Sequence, residues 1–210
     1  MGYSGAPLSF NPLSKESPMR QLLGIQTAHA RRVNIHGRAV LTAIHKQHVM
    51  GLVTVQRLGL VGDEQADLSV HGGLDKAVYA YPSAHYPFWQ DQRAAAGLCG
   101  IDDALAWGSL GENLTLSGVL ERDVWVGDVL RFSHCALRVT QPREPCYKFN
   151  AAMGFNMAGK RMAQNGCCGF YLAVDEPGSL QAGESFELIP GPRRLGIPEM
   201  FAAKMTKHLR

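Results

Sequence analysis

Cys146 is the residue in this chain best suited to soft chemistry. It lies in QPREPCYKFN, Gln141 to Asn150, with Pro145 just before it, Arg143 three residues back and Lys148 two residues on. Pro142 and Pro145 fix the backbone on either side of Arg143 and Glu144, which aims the thiol in a defined direction. Arg143 and Lys148, if they lie near the sulfur, favour thiolate over thiol. A thiolate so placed can attack an electrophile, pair with another thiol or bind a soft metal. No CxxC partner is near, which weakens the redox-pair reading. The plainer alternative, an inert structural thiol, suits Cys99 and Cys135 better.

Three further groups could carry chemistry. GLVGDEQADLSVHGGLDKAVYAY packs Asp63, His71, Gly72, Gly73, Asp75 and Lys76 between two strand candidates. Paired glycines let a backbone approach a ligand closely and turn N–H groups toward an anion. His71 can donate to a carbonyl or phosphate, or titrate near neutrality. A tight hairpin turn with solvated charges would look the same. In LGENL, Asn113 offers a donor and an acceptor that suit a heterocycle edge, or an ordinary Asx turn. In TAIHKQH, strand geometry would put His45 and Lys46 on opposite faces. Lys46 could then hold a phosphate in a pocket, although a solvated lysine is the commoner outcome.

These residues need a scaffold, and the sequence points to strands. AVLTAIHKQHV, GLVTVQRLGLV, KAVYAY, NLTLSGV, DVWVGDVLRFS, ALRVTQP, FYLAVDE and ESFELIP are short apolar runs between glycine and proline turns. SAHYPFWQDQRAAAGL reads as a helix with Tyr86 and Trp89 on one face and Gly97 at its end. Residues 150–166 read as a helix interrupted by glycines, with methionines as core filler. IPEMFAAKMTKHLR is a last short helix with Pro198 near its first turn. Seven or more strands and only two or three helices predict a mainly β, compact barrel-like domain with a few peripheral helices. The expected layout is a flexible arm over residues 1–20, the β domain over 21–190 and a short helical tail over 191–210. There is no regular βαβ alternation, GxGxxG or Walker A spacing, so nucleotide binding by those routes is not supported.

Composition narrows the classes further. With 210 residues and 46% hydrophobic content, one domain with a sizeable core is expected. The 21 basic and 18 acidic residues give a net charge of +3, too mild to argue for nucleic acid. Five cysteines in no paired spacing suggest a reduced, cytoplasmic protein rather than a disulfide framework. No run of 18 apolar residues suggests a membrane span.

Taken together and in order, TAIHK, GLVGDEQAD, VHGGLDKAVYAYP, HYPFW, GENLTLSGV, VWVGDVLRF, QPREPCYK and FYLAV resemble the MOSC family, named for the C-terminal domain of molybdenum cofactor sulfurase. The nearest likeness is to the bacterial stand-alone subfamily that reduces 6-N-hydroxylaminopurine. The resemblance implies a β-barrel that binds a molybdenum–pyranopterin cofactor, with Cys146 as the protein ligand to the metal. Lys46, Asp63, His71, Gly72, Gly73, Lys76, Asn113 and Arg143 would line the pterin and its phosphate. The implied reaction is two-electron reduction of an N–O bond in an N-hydroxylated base or related compound, with His71 as the proton shuttle. The chain carries no flavin or nicotinamide motif, so an external flavin-containing reductase would supply electrons; a homodimer is compatible. A cofactor carrier or sulfur-transfer module without turnover is the alternative, and a metal-free binding domain the third reading. One departure stands out: residues 191–210 hold a single helix, where the close relatives carry a longer helical extension.

Overall fold

The computed structural model describes residues 19–66, 72–98 and 104–208; the expected arm over 1–20 and Cys99 fall almost wholly outside them. The fold is mainly β, as the sequence predicts. Eight strands form one large sheet in the order β13 (Glu187–Ile189), β9 (Val129–Arg131), β10 (Ala136–Pro142), β11 (Phe170–Glu176), β7 (Val78–Pro82), β8 (Leu114–Ser117), β1 (Gln21–Thr27), β4 (Gln47–His48). All its neighbours are antiparallel except β7 and β8, which run parallel across helix α1 (Tyr86–Ala95). The sheet curls toward itself. Leu22 N–H donates to Glu184 O, Gly183 N–H to Leu22 O and Phe186 N–H to Arg20 O, tying β1 to the chain just before β13. The result is barrel-like without a continuous closed ladder.

Two small sheets complete the β structure. β5 (Leu52–Gln56) pairs with β6 (Gly59–Leu60) and with β12 (Gly178–Gln181). β2 (Arg31–Ile35) and β3 (Arg38–Thr42) form a hairpin that pairs only with itself. Strand patterning follows burial. In β5 Val53 and Val55 are buried between exposed Leu52, Thr54 and Gln56, the period of a half-covered strand. β7, VYAYP, is buried throughout because the sheet covers one face and α1 the other. Trp89 of α1 fills that space: its indole N–H donates to Tyr81 Oη at 2.5 Å, and its ring meets Phe149 edge-on at 5.3 Å.

The predicted interrupted helix is two helices, α2 (Tyr147–Met153) and α3 (Ala158–Asn165), closed by Gly154 and Gly166 in the left-handed region. Met153 and Met162 are core residues as expected, while Met157 is exposed. The terminal helix α4 (Ile197–His208) sends Ile197 and Phe201 into the common core, and its Lys204 pairs with Glu144 in the proline turn. No helix among the described residues is long and apolar enough to cross a membrane.

One expectation is corrected. His45 and Lys46 are not on opposite faces of a strand. The predicted run breaks after Thr42, where Thr42 Oγ1 accepts from Ile44 N–H and Ile44 O from Lys46 N–H. Alternating apolar residues on both sides of the break made two strands look like one. The tertiary demand that Lys46 reach a buried carboxylate turns the chain here.

Candidate functional site

A cleft of about 660 Å³, its open mouth included, gathers Lys46, Asp63, Lys76, Asn113, Arg143 and Cys146 from widely separated parts of the sequence. Gly72 and Gly73 are not among its lining residues, and His71 lies outside the described residues. Tyr79 and Tyr171, 5.3 Å apart between ring centroids, form an aromatic wall. Four cations (Lys46, Lys76, Arg143 and Lys148) but only two carboxylates (Asp63 and Glu64) line the space. The cleft is therefore electropositive.

Cys146 ends the coil that leaves β10 and opens α2, in extended backbone at φ −132°. Its thiol is half-buried and outside any disulfide. Pro142 is still paired with Phe170, so the rigid turn begins where the sheet ends. A register shift between Val139 and Gln141 re-aims the strand just before it.

Arg143 is 5% exposed and is in none of the ion pairs among the described residues. Its guanidinium lies 5.0 Å from the Tyr79 ring centroid and 4.6 Å from that of Phe149, and donates to Leu110 O at 2.8 Å. Burial works against its charge, but Tyr79, Tyr171 and Cys146 outweigh that and raise its pKa. A stacked, dipole-held guanidinium keeps a full positive charge in a dry place. Lys46 is handled in the opposite way. Its ammonium pairs with Asp63, both side chains being under a tenth exposed, and Asp63 Oδ1 also accepts from Ala28 N–H at 2.8 Å. Burial pulls the Lys46 pKa below its ordinary value despite the attraction of Asp63 and Glu112.

The LGENL segment is a structural clamp. Glu112, fully buried, accepts from Tyr86 O–H, Gly108 N–H, Thr115 O–H and Leu110 N–H. Burial raises its pKa against those hydrogen bonds. Asn113 Oδ1 accepts from Tyr79 N–H at 3.0 Å and its Nδ2 donates to Gln26 O at 3.1 Å, stitching β7 to β1. One amide hydrogen and one lone pair are left for a ligand. Gly111, at φ +83°, packs against Ile44, where an added Cβ would meet Cγ1 at 2.8 Å. Gly73 is also left-handed at φ +88°, yet nothing crowds its Cα; its N–H donates to Gln65 Oε1 at 2.8 Å. Its backbone handedness, not close approach, calls for glycine.

The tyrosine wall escaped the sequence reading. Part of the signal was present: KAVYAY carries Tyr79 of the wall and, two residues on, Tyr81 outside the cleft lining, in an apolar run where phenylalanine would serve a plain core. Their hydroxyls need partners and find Cys168 O and Cys167 O.

The donor set fits a metal carried by an anionic organic cofactor. Among the described residues no three His, Cys, Asp or Glu side chains come together to hold a bare ion. A soft metal at Cys146 would bring its remaining ligands with it, and the aromatic wall and surplus of cations suit a flat, phosphate-bearing carrier.

Comparison with known proteins agrees with this architecture. The family model described as MOSC domain matches residues 67–187. Protein YiiM of Escherichia coli strain K12 is 36% identical over 168 residues, covering 80% of this chain and 72% of that protein. A Gibberella moniliformis protein named "Reductase" is 32% identical over 157 residues, which cover 74% of this chain but 27% of that longer one. The crystal structure of YiiM from Geobacillus stearothermophilus superposes with a TM-score of 0.70 at 28% identity, covering 91% of this chain and 86% of the other. The eight-stranded curled sheet, the cleft at Cys146 and these matches establish that the chain belongs to the MOSC domain family.

Proposed function

We propose that this protein is a molybdenum-cofactor-binding reductase of N-hydroxylated bases or related N-oxygenated compounds. The observation that carries the reading is Cys146, half-buried in an electropositive cleft beside a buried arginine that is in no ion pair among the described residues. The overall change is R–NH–OH + 2 e⁻ + 2 H⁺ → R–NH₂ + H₂O. When bound, the molybdenum cofactor supplies the two-electron chemistry and accepts the oxygen. The chain supplies position and charge. Cys146 would be the single protein ligand, aimed by the proline turn that Lys204 braces through Glu144. Arg143, Lys76 and Lys148 would offset the cofactor's negative charge, and Tyr79 and Tyr171 would offer it an aromatic wall. Lys46, already neutralised by Asp63, fixes the wall. His71 delivers protons, and electrons come from an external flavin-containing reductase. The fungal relative named "Reductase", in which the shared region is about a quarter of the chain, supports the class of reaction.

The deciding experiment measures molybdenum per chain for wild type and Cys146→Ser, expressed in a host that makes the cofactor. Turnover of 6-N-hydroxylaminopurine with a reduced viologen dye follows. The expected result is near-stoichiometric metal and turnover in the wild type and loss of both in the variant. Metal retained with no turnover in the wild type would favour a cofactor carrier; metal absent from both would overturn the reading.

A further inference from the structure

Between Glu16 and Asp63 the sequence contains no aspartate or glutamate, while it holds Arg20, Arg31, Arg32, Arg38, Lys46 and Arg57. Three of these arginines sit on the β2–β3 hairpin, and all three are exposed. Elsewhere three part-exposed arginines each have a carboxylate: Arg131 with Glu176, Arg138 with Asp175, Arg193 with Asp128. Arg31, Arg32 and Arg38 are in none of the ion pairs among the described residues. An exposed two-stranded edge needs charges to keep it from pairing with other chains. That need is indifferent to sign, so it does not explain a hairpin with cations alone.

The hairpin also has a fixed relation to the cleft. β3 runs directly into Thr42, Ala43 and Ile44, which line it, and Lys148 donates to Leu41 O at 3.2 Å, tying the hairpin to the Cys146 turn. Arg31 pairs across from Thr42 and Arg38 from Ile35, on one face of the hairpin, while Arg32, across from Leu41, lies on the other. Four residues of strand therefore separate the two ends of the cationic strip, roughly 14 Å at about 3.4 Å per residue. That span exceeds one phosphate group and suits an extended anionic surface. Leu41 and Tyr147, 43% and 57% exposed, add apolar and aromatic area beside it. Arginine and tyrosine beside exposed apolar area are the residues of a protein interface, whereas nucleic acid calls for a stronger cationic balance than +3.

We propose that the β2–β3 hairpin, through Arg31, Arg32 and Arg38 with Leu41 and Tyr147, docks an acidic electron-carrying protein at the mouth of the cleft. The assignment of the partner as an electron carrier rests on the reductase reading; the acidic character of its surface rests on the hairpin alone. Seated there, the carrier releases its electrons beside Cys146 and leaves oxidised.

The test uses the full cofactor-loaded chain, an acidic flavodoxin as probe, and the variants R31E/R32E/R38E and R31Q/R32Q/R38Q. Thermal melts matching wild type check folding. Binding of oxidised flavodoxin should weaken at least about tenfold in the charge-reversed variant, less in the neutral one, and fall with salt in the wild type. Flavodoxin-driven turnover should drop in the same order, while dye-driven turnover stays at wild-type level. Flavodoxin binding that ignores both variants and salt, or no binding at all, overturns the docking surface. So does a single-stranded oligonucleotide that binds the hairpin in its place. Absent dye-driven turnover in the wild type would instead sink the reductase reading, and the binding measurement would still decide whether the hairpin receives an acidic protein.

Discussion

The two buried cations of the cleft are accommodated by opposite means. Lys46 is matched by a carboxylate, Asp63, so the pair adds little net charge to the site. Arg143 is held by two aromatic faces and a carbonyl dipole, so its full charge remains for whatever enters. The difference follows from the side chains. An ammonium is compact and strongly hydrated, and burial demands an anion in exchange. A guanidinium is flat and weakly hydrated, and rings and dipoles suffice. One wall of the cleft is thereby structural and the other electrostatically active.

The sharpest way to break this contrast is Asp63→Asn, which strands a buried ammonium. The expected loss is about 3–5 kcal/mol by urea denaturation near pH 7. The loss should shrink at alkaline pH. A depressed lysine pKa means the folded protein sheds the proton before the unfolded chain does, so stability rises with pH in the interval below 10.5. Removing Asp63 widens that interval. A deficit unchanged at alkaline pH would show that Lys46 does not carry the cost.

Arg143→Lys probes the other wall. Charge is kept, but the planar stacking on Tyr79 and Phe149 is lost, for an expected cost of about 1–2 kcal/mol in the same assay. A cost as large as that of Asp63→Asn would mean that the rings do not stand in for a counter-ion.

The smallest effect is expected at a third, more open pair. His85 Nε2 lies 2.7 Å from Glu121 Oε2, and Glu121 Oε1 accepts from Gly169 N–H. Burial lowers the His85 pKa, but hydrogen bonds with Cys167 and Glu121 outweigh it and hold it at about 10. The raised value means a contribution complete below 6.5 and lost as pH rises through about 10. His85→Gln should cost about 1 kcal/mol at pH 6 and progressively less above pH 9. A pH-independent deficit would assign His85 to packing alone.

Much of the β framework was legible because its cues are local. FYLAVDE and ALRVTQP coincide with β11 and β10, since β-branched and aromatic residues between turn signals leave few alternatives. α1 and its buried Tyr86 and Trp89 were equally readable from spacing. β1, β2 and β12 were not singled out: QLLGIQT carries a glycine in mid-strand, RRVNI has only two apolar residues, and GSLQ is too short to show a period. The turn that carries Cys146 into the cleft was visible in its prolines, and two of the cleft's cations in its neighbours Arg143 and Lys148. The clamp role of Asn113 was not, because its partners are the backbone of Tyr79 and of Gln26, far away in the chain.

The sequence by itself determined which residue types could do chemistry, the predominance of strands and the cationic stretch that becomes the β2–β3 hairpin. These are properties of side chains and near neighbours, written residue by residue. Only the tertiary structure decided that Lys46 leaves its strand to meet Asp63, that Arg143 is held by rings rather than an acid, and that the hairpin stands beside the cleft. Each of these depends on how burial is offset by a partner distant in sequence. The cost of desolvating a charge is set by what surrounds it after folding, and no local pattern records that.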